Sequence, residues 1–399
     1  MRRLGQSAQK AKWSLRWLIS SFLWLISSGL HGQDLEGQIS VSPDSLSIKV
    51  GQMVMIGLGE FNLPEQADAV LSEIEAGKVG GVVVYEKNID PLTPFSSLKA
   101  TLSRVQSASP IPLFTSIDEE GGRVTRLKSK YGFPATKQAG ELGAMKNLDS
   151  TYYYALQTAS LLDSLGINLN YAPDIDVDVN PENPVIGKLG RTYSADPNEV
   201  AAHGIAVVDA HRANNVGTVL KHFPGHGSSS TDSHLDMTDV TDSWMFYELS
   251  PYRKMLDSGR VDGIMTAHII NQHLDSAKLP ATLSKSIITG ILRDFMGYDG
   301  VVFSDDMQMH AISQHFGLKN AIKMAIDAGV DVLMFANNVP KTDKRSADEI
   351  HSMIMQLVRD GDIAEERINM SYERILKMKS DLQILTEKKG VAESNPPEH

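Results

Sequence analysis

A recurrence of short, continuous apolar runs, each followed by a polar turn and a stretch with helical spacing, restricts the fold of this chain more than any other feature. The runs are Gly51–Gly57, Gly81–Tyr85, Ile111–Ile117, Ile167–Ala172, Gly217–Leu220, Gly263–Ala267, Gly300–Ser304 and Val330–Phe335. Strands that are apolar on both faces must be covered on both faces, which is the condition of a parallel sheet with helical crossovers. Ser150–Leu165 and Lys319–Ala328 carry apolar residues at helical intervals and supply such crossovers. Eight runs predict one α/β domain, a (β/α)8 TIM-barrel-like fold, in preference to an open doubly wound sheet. No Gly-x-Gly-x-x-Gly follows the first run, which argues against a dinucleotide-binding sheet.

The two ends of the chain read differently from its middle. Arg2, Arg3, Lys10, Lys12 and Arg16 precede an apolar run from Trp17 to Leu30, and His31-Gly32-Gln33 follows. That order predicts a secretory signal peptide over residues 1–32 and hence a periplasmic or secreted protein, with an uncleaved anchor as the alternative. The run is short of the roughly 20 apolar residues of a spanning helix. Residues 33–47 read as a spacer, 48–386 as the barrel, and 387–399, ending Pro-Pro-Glu-His, as a disordered tail. Loss of the five basic residues takes the net charge from −11 to −16, which argues against nucleic acid or an anionic membrane surface as partner. The chain has no cysteine, so disulfides, thiolate chemistry and a cysteine-linked lipid anchor are all excluded.

In a parallel barrel the active site lies at the C-terminal ends of the strands. The residues just beyond the runs are Asn88, Asp118 to Arg126, Asp174 to Asp178, Lys221-His222, His268, Asp305-Asp306 and Asn337-Asn338. Together they predict an acidic, histidine-bearing mouth suited to a hydroxyl-rich ligand. The densest segment is Lys221-His-Phe-Pro-Gly-His-Gly-Ser-Ser-Ser-Thr-Asp-Ser-His234, read as a loop because Pro224, Gly225 and Gly227 break regular structure. Within it Asp232 can bond one nitrogen of His234, leaving the other to move a proton; a solvated loop histidine is the plain alternative. His222, His226, His234, Asp232 and Asp236 could instead ligate a metal, but their spacing matches no helical zinc motif, and the reading is no metal and no cofactor. Neighbouring Asp305 and Asp306 must point to opposite sides of a strand, so one suits a nucleophile and the other a backbone or helix-end contact. Asp118 and Arg126 flank the Gly121-Gly122 turn, and Arg191 sits on a Gly/Pro-rich loop; each could equally form a structural ion pair.

The segment Lys221 to Gly227 followed by Asp232-Ser-His234 resembles the signature loop of glycoside hydrolase family 3, most closely its bacterial β-N-acetylglucosaminidases. The likeness runs from about Val50 to Lys379 and includes Ile117 to Arg126, Ala172-Pro173, Asn183 to Pro197, Met265 to His268, Pro280 to Ser284 and Gly300 to Asp306. It implies a retaining exo-β-N-acetylglucosaminidase acting on chitin-like or peptidoglycan fragments through a covalent glycosyl-enzyme intermediate. It implies Asp305 as nucleophile, His234 as acid/base with Asp232 as its partner, and Asp118, Arg126, Arg191, Lys221, His222 and His268 as sugar-binding residues. The implied partner is a carbohydrate and the implied state a monomer. A phosphorylase of the same fold and a non-catalytic sugar-binding barrel are the alternatives. Ser228-Ser-Ser-Thr231 departs from the loop's usual spacer, and the Arg191 loop is longer than the compact form, leaving the aim of Arg191 open.

Overall fold

All eight apolar runs form strands. The computed structural model describes residues 44–231, 237–339 and 342–386. The strands are β1 Val54–Gly57, β2 Gly81–Val84, β3 Phe114–Ile117, β4 Leu169–Asn170, β5 Gly217–Phe223, β6 Gly263–Thr266, β7 Val301–Phe303 and β8 Leu333–Phe335. Every neighbouring pair is parallel, in the order β8-β1-β2-β3-β4-β5-β6-β7. A parallel bridge between Phe303 and Val332, with Ser304 N–H donating to the Val332 carbonyl at 2.9 Å, joins β7 to β8 and closes the barrel. Closure leaves no bare edge for another strand to join.

Helices connect successive strands, among them Pro64–Glu75, Pro94–Ala108, Leu148–Leu165, Pro197–Arg212 and Leu318–Ala328. Proline opens several, where the missing N–H costs nothing, and the side chains of Asn147 and Asp196 cap the first turns of Leu148–Leu165 and Pro197–Arg212. The interior is filled by side chains from opposite walls. Phe114 on β3 meets Phe303 on β7 edge-on at 5.9 Å between ring centroids, and Tyr171 meets the same ring at 6.3 Å. Such filling makes the barrel a packed core rather than a pore. The floor is sealed by the helix Glu365–Asp381, whose buried Lys379 donates to Gln52 Oε1 at 2.7 Å and to the Gly80 carbonyl at 3.0 Å.

Three expected boundaries move. The helix Leu46–Gln52, capped by Ser45, starts inside the segment expected to be spacer, because Ile48 and Val50 are buried against the barrel. Gly51 and Gln52 therefore belong to a helix rather than to the first strand. β5 continues to Phe223, so Lys221 and His222 stand on a strand and not in the loop that follows. Lys221 bridges to Asp174 on one side and Phe223 pairs with Thr266 on the other, which holds both residues in the sheet. The expected signal peptide, most of the spacer and the expected tail lie outside the described residues. Among the described residues no helix is long and apolar enough to cross a membrane.

Candidate active site

The mouth is organised around Lys221. Its side chain is 2% exposed, and the ammonium group lies 2.8 Å from Asp118 Oδ1 and 2.7 Å from Glu120 Oε1. β5 brings the cation up from below, and the turn after β3 brings both carboxylates from the side. That turn depends on Gly121 and Gly122, whose φ values of 98° and 60° lie where side chains are disfavoured. Arg126, across the turn, donates to Asp118 Oδ2 at 3.1 Å, and its guanidinium lies 5.5 Å from the centre of the Tyr85 ring. Burial opposes ionisation of Asp118, yet the charges of Lys221 and Arg126 outweigh it and hold the carboxyl well below the usual carboxylate range. Burial likewise works against the Lys221 ammonium, and Asp118 and Glu120 more than offset it.

Arg191 aims into the same cluster. Its Nε and Nη2 form a fork on Glu120 at 2.9 and 2.7 Å, Nη1 donates to the Val185 carbonyl at 2.9 Å, and Nη2 lies 3.3 Å from Asp174 Oδ2. Against the cost of burial, Arg191 and then Lys221 bring Glu120 down to about 2. Arg191 Nη2 also lies 3.2 Å from His222 Nε2, while Asp176 Oδ2 meets His222 Nδ1 at 2.8 Å. These contacts fix the tautomer: Nδ1–H donates to Asp176 and Nε2 accepts from Arg191. Burial, then the Arg191 charge, hold His222 at about 4, so the ring is neutral at neutral pH. Asp176 also accepts from His226 N–H at 2.7 Å.

Asp305 and Asp306 lie in the bend beyond β7 rather than on the strand, and they make different contacts. Asp306 turns back onto the chain, and its Oδ1 accepts from Gln308 N–H at 3.0 Å and Ala336 N–H at 3.1 Å. Asp305, partly exposed, accepts from Asp306 N–H at 2.7 Å and lies near enough for its charge to act on His222 and Tyr171. His268 is 1% exposed, with Nδ1 on Thr282 Oγ1 at 2.8 Å and Nε2 donating to the Asp306 carbonyl at 3.0 Å. One ring nitrogen is thus engaged by a side-chain hydroxyl and the other by the backbone of the Asp305–Asp306 turn. Asp232 and His234 lie outside the described residues.

Sequence reasoning set Glu120, Asp174 and Asp176 in strand-end segments of the mouth but gave none of them a role of its own. The alternation Asp174-x-Asp176 at a strand end was the available signal, since it puts two carboxylates on one face. Asp174, Asp176 and His222 bring three donor atoms within 4.8 Å of one another. His222 Nδ1 is hydrogen-bonded to Asp176 and Arg191 abuts Asp174, so the donor set fits an acid–imidazole network better than a cation cage. A cleft of about 610 Å³ lies away from this mouth, at the N-terminal ends of β6 and β7, where Arg212 pairs with Asp262 and Arg374 with Asp299, each at 2.7 Å.

Comparison with known proteins identifies the family. The profile "Glycosyl hydrolase family 3 N terminal domain" matches residues 45–378. Beta-hexosaminidase A of Pseudoalteromonas piscicida is 33% identical over 345 residues, which cover 80% of this chain and 56% of that protein. Beta-hexosaminidase LpqI of Mycobacterium tuberculosis is 32% identical over 339 residues, 83% of this chain and 82% of LpqI. A glycoside hydrolase family 3 beta-N-acetylglucosaminidase from Paenibacillus superposes with a TM-score of 0.76 at 34% identity, covering 85% of this chain and 63% of that one. This chain thus spans little more than half of the Pseudoalteromonas relative.

Proposed function

The chain belongs to glycosyl hydrolase family 3, and from that premise we propose that it is a retaining exo-β-N-acetylglucosaminidase. Its substrates in this reading are terminal β-linked N-acetylglucosamine residues of chitin-like or peptidoglycan fragments. The observation that carries the reading is the placement of Asp305 at the end of β7, oriented by Asp306 N–H, beside a buried cluster of Asp118, Arg126, Arg191, Lys221 and His222. Carboxylates accept from sugar hydroxyls, and Lys221, Arg126 and Arg191 donate to hydroxyl and acetamido oxygens.

The chemistry takes two displacements. The Asp305 carboxylate attacks the anomeric carbon, the glycosidic C–O bond breaks, and His234 gives its proton to the departing oxygen. Water then gives a proton to His234 and adds to the anomeric carbon, and the bond to Asp305 breaks. An imidazole titrating near neutrality suits both transfers, and Asp232 bonded to its other nitrogen keeps it oriented. Export through residues 1–32 completes the reading, and the N-terminal sequence of the protein recovered from the cell envelope tests it.

The test compares an aryl β-N-acetylglucosaminide with an aryl β-glucoside, with and without phosphate, for the wild type and Asp305→Asn. Release of free N-acetylglucosamine in both buffers, abolished in the variant while sugar binding persists, is expected. Sugar-1-phosphate as the product would make the protein a phosphorylase, and wild-type rates from Asp305→Asn would remove the nucleophile.

A further inference from the structure

The chain leaving β5 is fastened along its described length. The Pro224 carbonyl accepts from Trp244 Nε1 at 3.2 Å. Asn183 Nδ2 donates to the carbonyls of His226 at 2.8 Å and Gly227 at 3.2 Å, and Asn180 Nδ2 donates to that of Ser229 at 2.9 Å. Gly227 is obligatory at this point, because a Cβ there would stand 1.8 Å from the Val177 carbonyl oxygen. These bonds hold one side of the excursion between β5 and the helix Ser250–Asp257.

Glu248 joins its two sides. The side chain is buried, and its two oxygens accept from different backbone amides: Oε2 from Ser228 N–H at 3.3 Å and Oε1 from Met245 N–H at 3.1 Å. One carboxyl group thus closes the base of the segment between residues 228 and 245. A second closure lies further out, where Thr231 Oγ1 donates to Thr238 Oγ1 at 3.1 Å. Thr238 is itself held in a short parallel pair, Thr238–Asp239 with Ile269–Ile270.

We propose that Glu248, seconded by the Thr231–Thr238 hydroxyl pair, is a positioning device for the acid/base step, setting where the chain that carries Asp232 and His234 departs from and rejoins the barrel. The inference rests on the reading of His234 as the acid/base. Asp232 follows Thr231 directly and His234 stands four residues before Thr238, so covalent geometry ties both to these two attachment points. Among the described residues Glu248 makes no hydrogen bond to the sugar cluster, and although the Asp176 charge reaches it, burial raises its carboxyl to about 8, so a neutral replacement changes little charge there and its influence should fall on proton transfer.

Glu248→Gln tests this at nearly constant volume. A glutamine offers one acceptor oxygen, and its NH₂ group would face one of the two amide donors, so one attachment is lost. The readout is leaving-group dependence. On a natural disaccharide, whose leaving oxygen needs a proton, kcat/KM should fall by about 10- to 100-fold, the scale of a misplaced catalytic group. On a dinitrophenyl glycoside, which departs unaided, the fall should be under about 3-fold by the same reasoning. Thr231→Val, at an exposed position, should show the same selectivity more weakly, and it decides the matter if Glu248→Gln does not fold. Equal losses on both substrates, or no selectivity in Thr231→Val, would overturn the inference. His234→Ala serves as the reference. Without leaving-group selectivity in His234→Ala the acid/base reading itself fails; with it there but absent from Glu248→Gln, only the role of Glu248 fails.

Discussion

Lys379 offers a sharp physical test of how the barrel floor is held. Its ammonium group meets Gln52 Oε1, the Gly80 carbonyl and the face of Phe114, with Nζ 4.7 Å from the ring centroid. None of these groups carries a negative charge. Burial lowers the pKa from 10.5 to about 7. Between those two values the unfolded chain binds more protons than the folded one, so the unfolding free energy must rise with pH across that window. Linkage with these two values gives a rise of about 2 kcal/mol between pH 7 and pH 9. Lys379→Met keeps most of the apolar stem and removes the titration. It also strips a donor from two buried oxygens, at a cost of roughly 1–3 kcal/mol. The variant should therefore be the less stable protein at pH 9, and the gap should narrow by about 2 kcal/mol at pH 7. Urea unfolding at pH 7, 8 and 9 reads this directly, and only the difference between the two proteins matters, because other titrations are common to both. Parallel stability curves for the two proteins would refute the argument that the floor holds a lysine with a depressed pKa.

Arg191→Lys keeps the charge but loses the fork on Glu120 and the bond to the Val185 carbonyl, which should cost about 3 kcal/mol in urea stability and raise KM. A wild-type midpoint and KM together would show that the fork is dispensable. Asp176→Asn leaves one oxygen to serve both His222 Nδ1 and the His226 amide, so the His222 tautomer should no longer be fixed. Loss of a charge-assisted bond of about 1.5–3 kcal/mol predicts a roughly 10- to 150-fold fall in kcat/KM. An unchanged nitrogen chemical shift for the His222 ring would show that Asp176 does not set the tautomer.

The fold was legible because a parallel barrel writes its strands as continuous apolar runs, and all eight runs are strands. What the runs could not give was where each strand stops. β5 was read as ending at Leu220, since a lysine and a histidine looked like the start of a loop. The sheet continues through them because its neighbours supply polar partners: Lys221 bridges to Asp174, and the Ile175 amide donates to the Lys221 carbonyl at 2.9 Å. A charged residue fits a buried strand when its counter-charges arrive from other elements, and those are invisible to a local pattern. The helix starting at Leu46 was missed for a similar reason, since its buried residues find their partners in the C-terminal helices rather than nearby in sequence.

The site was legible as a place and only partly as a set of roles. Strand ends at one face of a barrel converge by geometry, so a polar residue after nearly every strand marked the mouth before any contact was known. Roles depend on which charges meet, and the acids at these strand ends outnumber the bases. Spacing could not decide that Glu120 rather than Glu119 would face Lys221 and Arg191. Glu119 instead turns inward, bonding Thr125 and accepting from the amides of Arg126 and Leu127 at 2.8 and 3.1 Å, and so shapes the turn. His268, the histidine after another strand end, has one nitrogen on the Thr282 hydroxyl and the other on the Asp306 carbonyl, contacts that no local pattern announces. A lysine buried between two carboxylates does little for stability once its desolvation is counted, so the Asp118–Lys221–Glu120 cluster adds little to the barrel, which fits the sugar-binding role proposed for it.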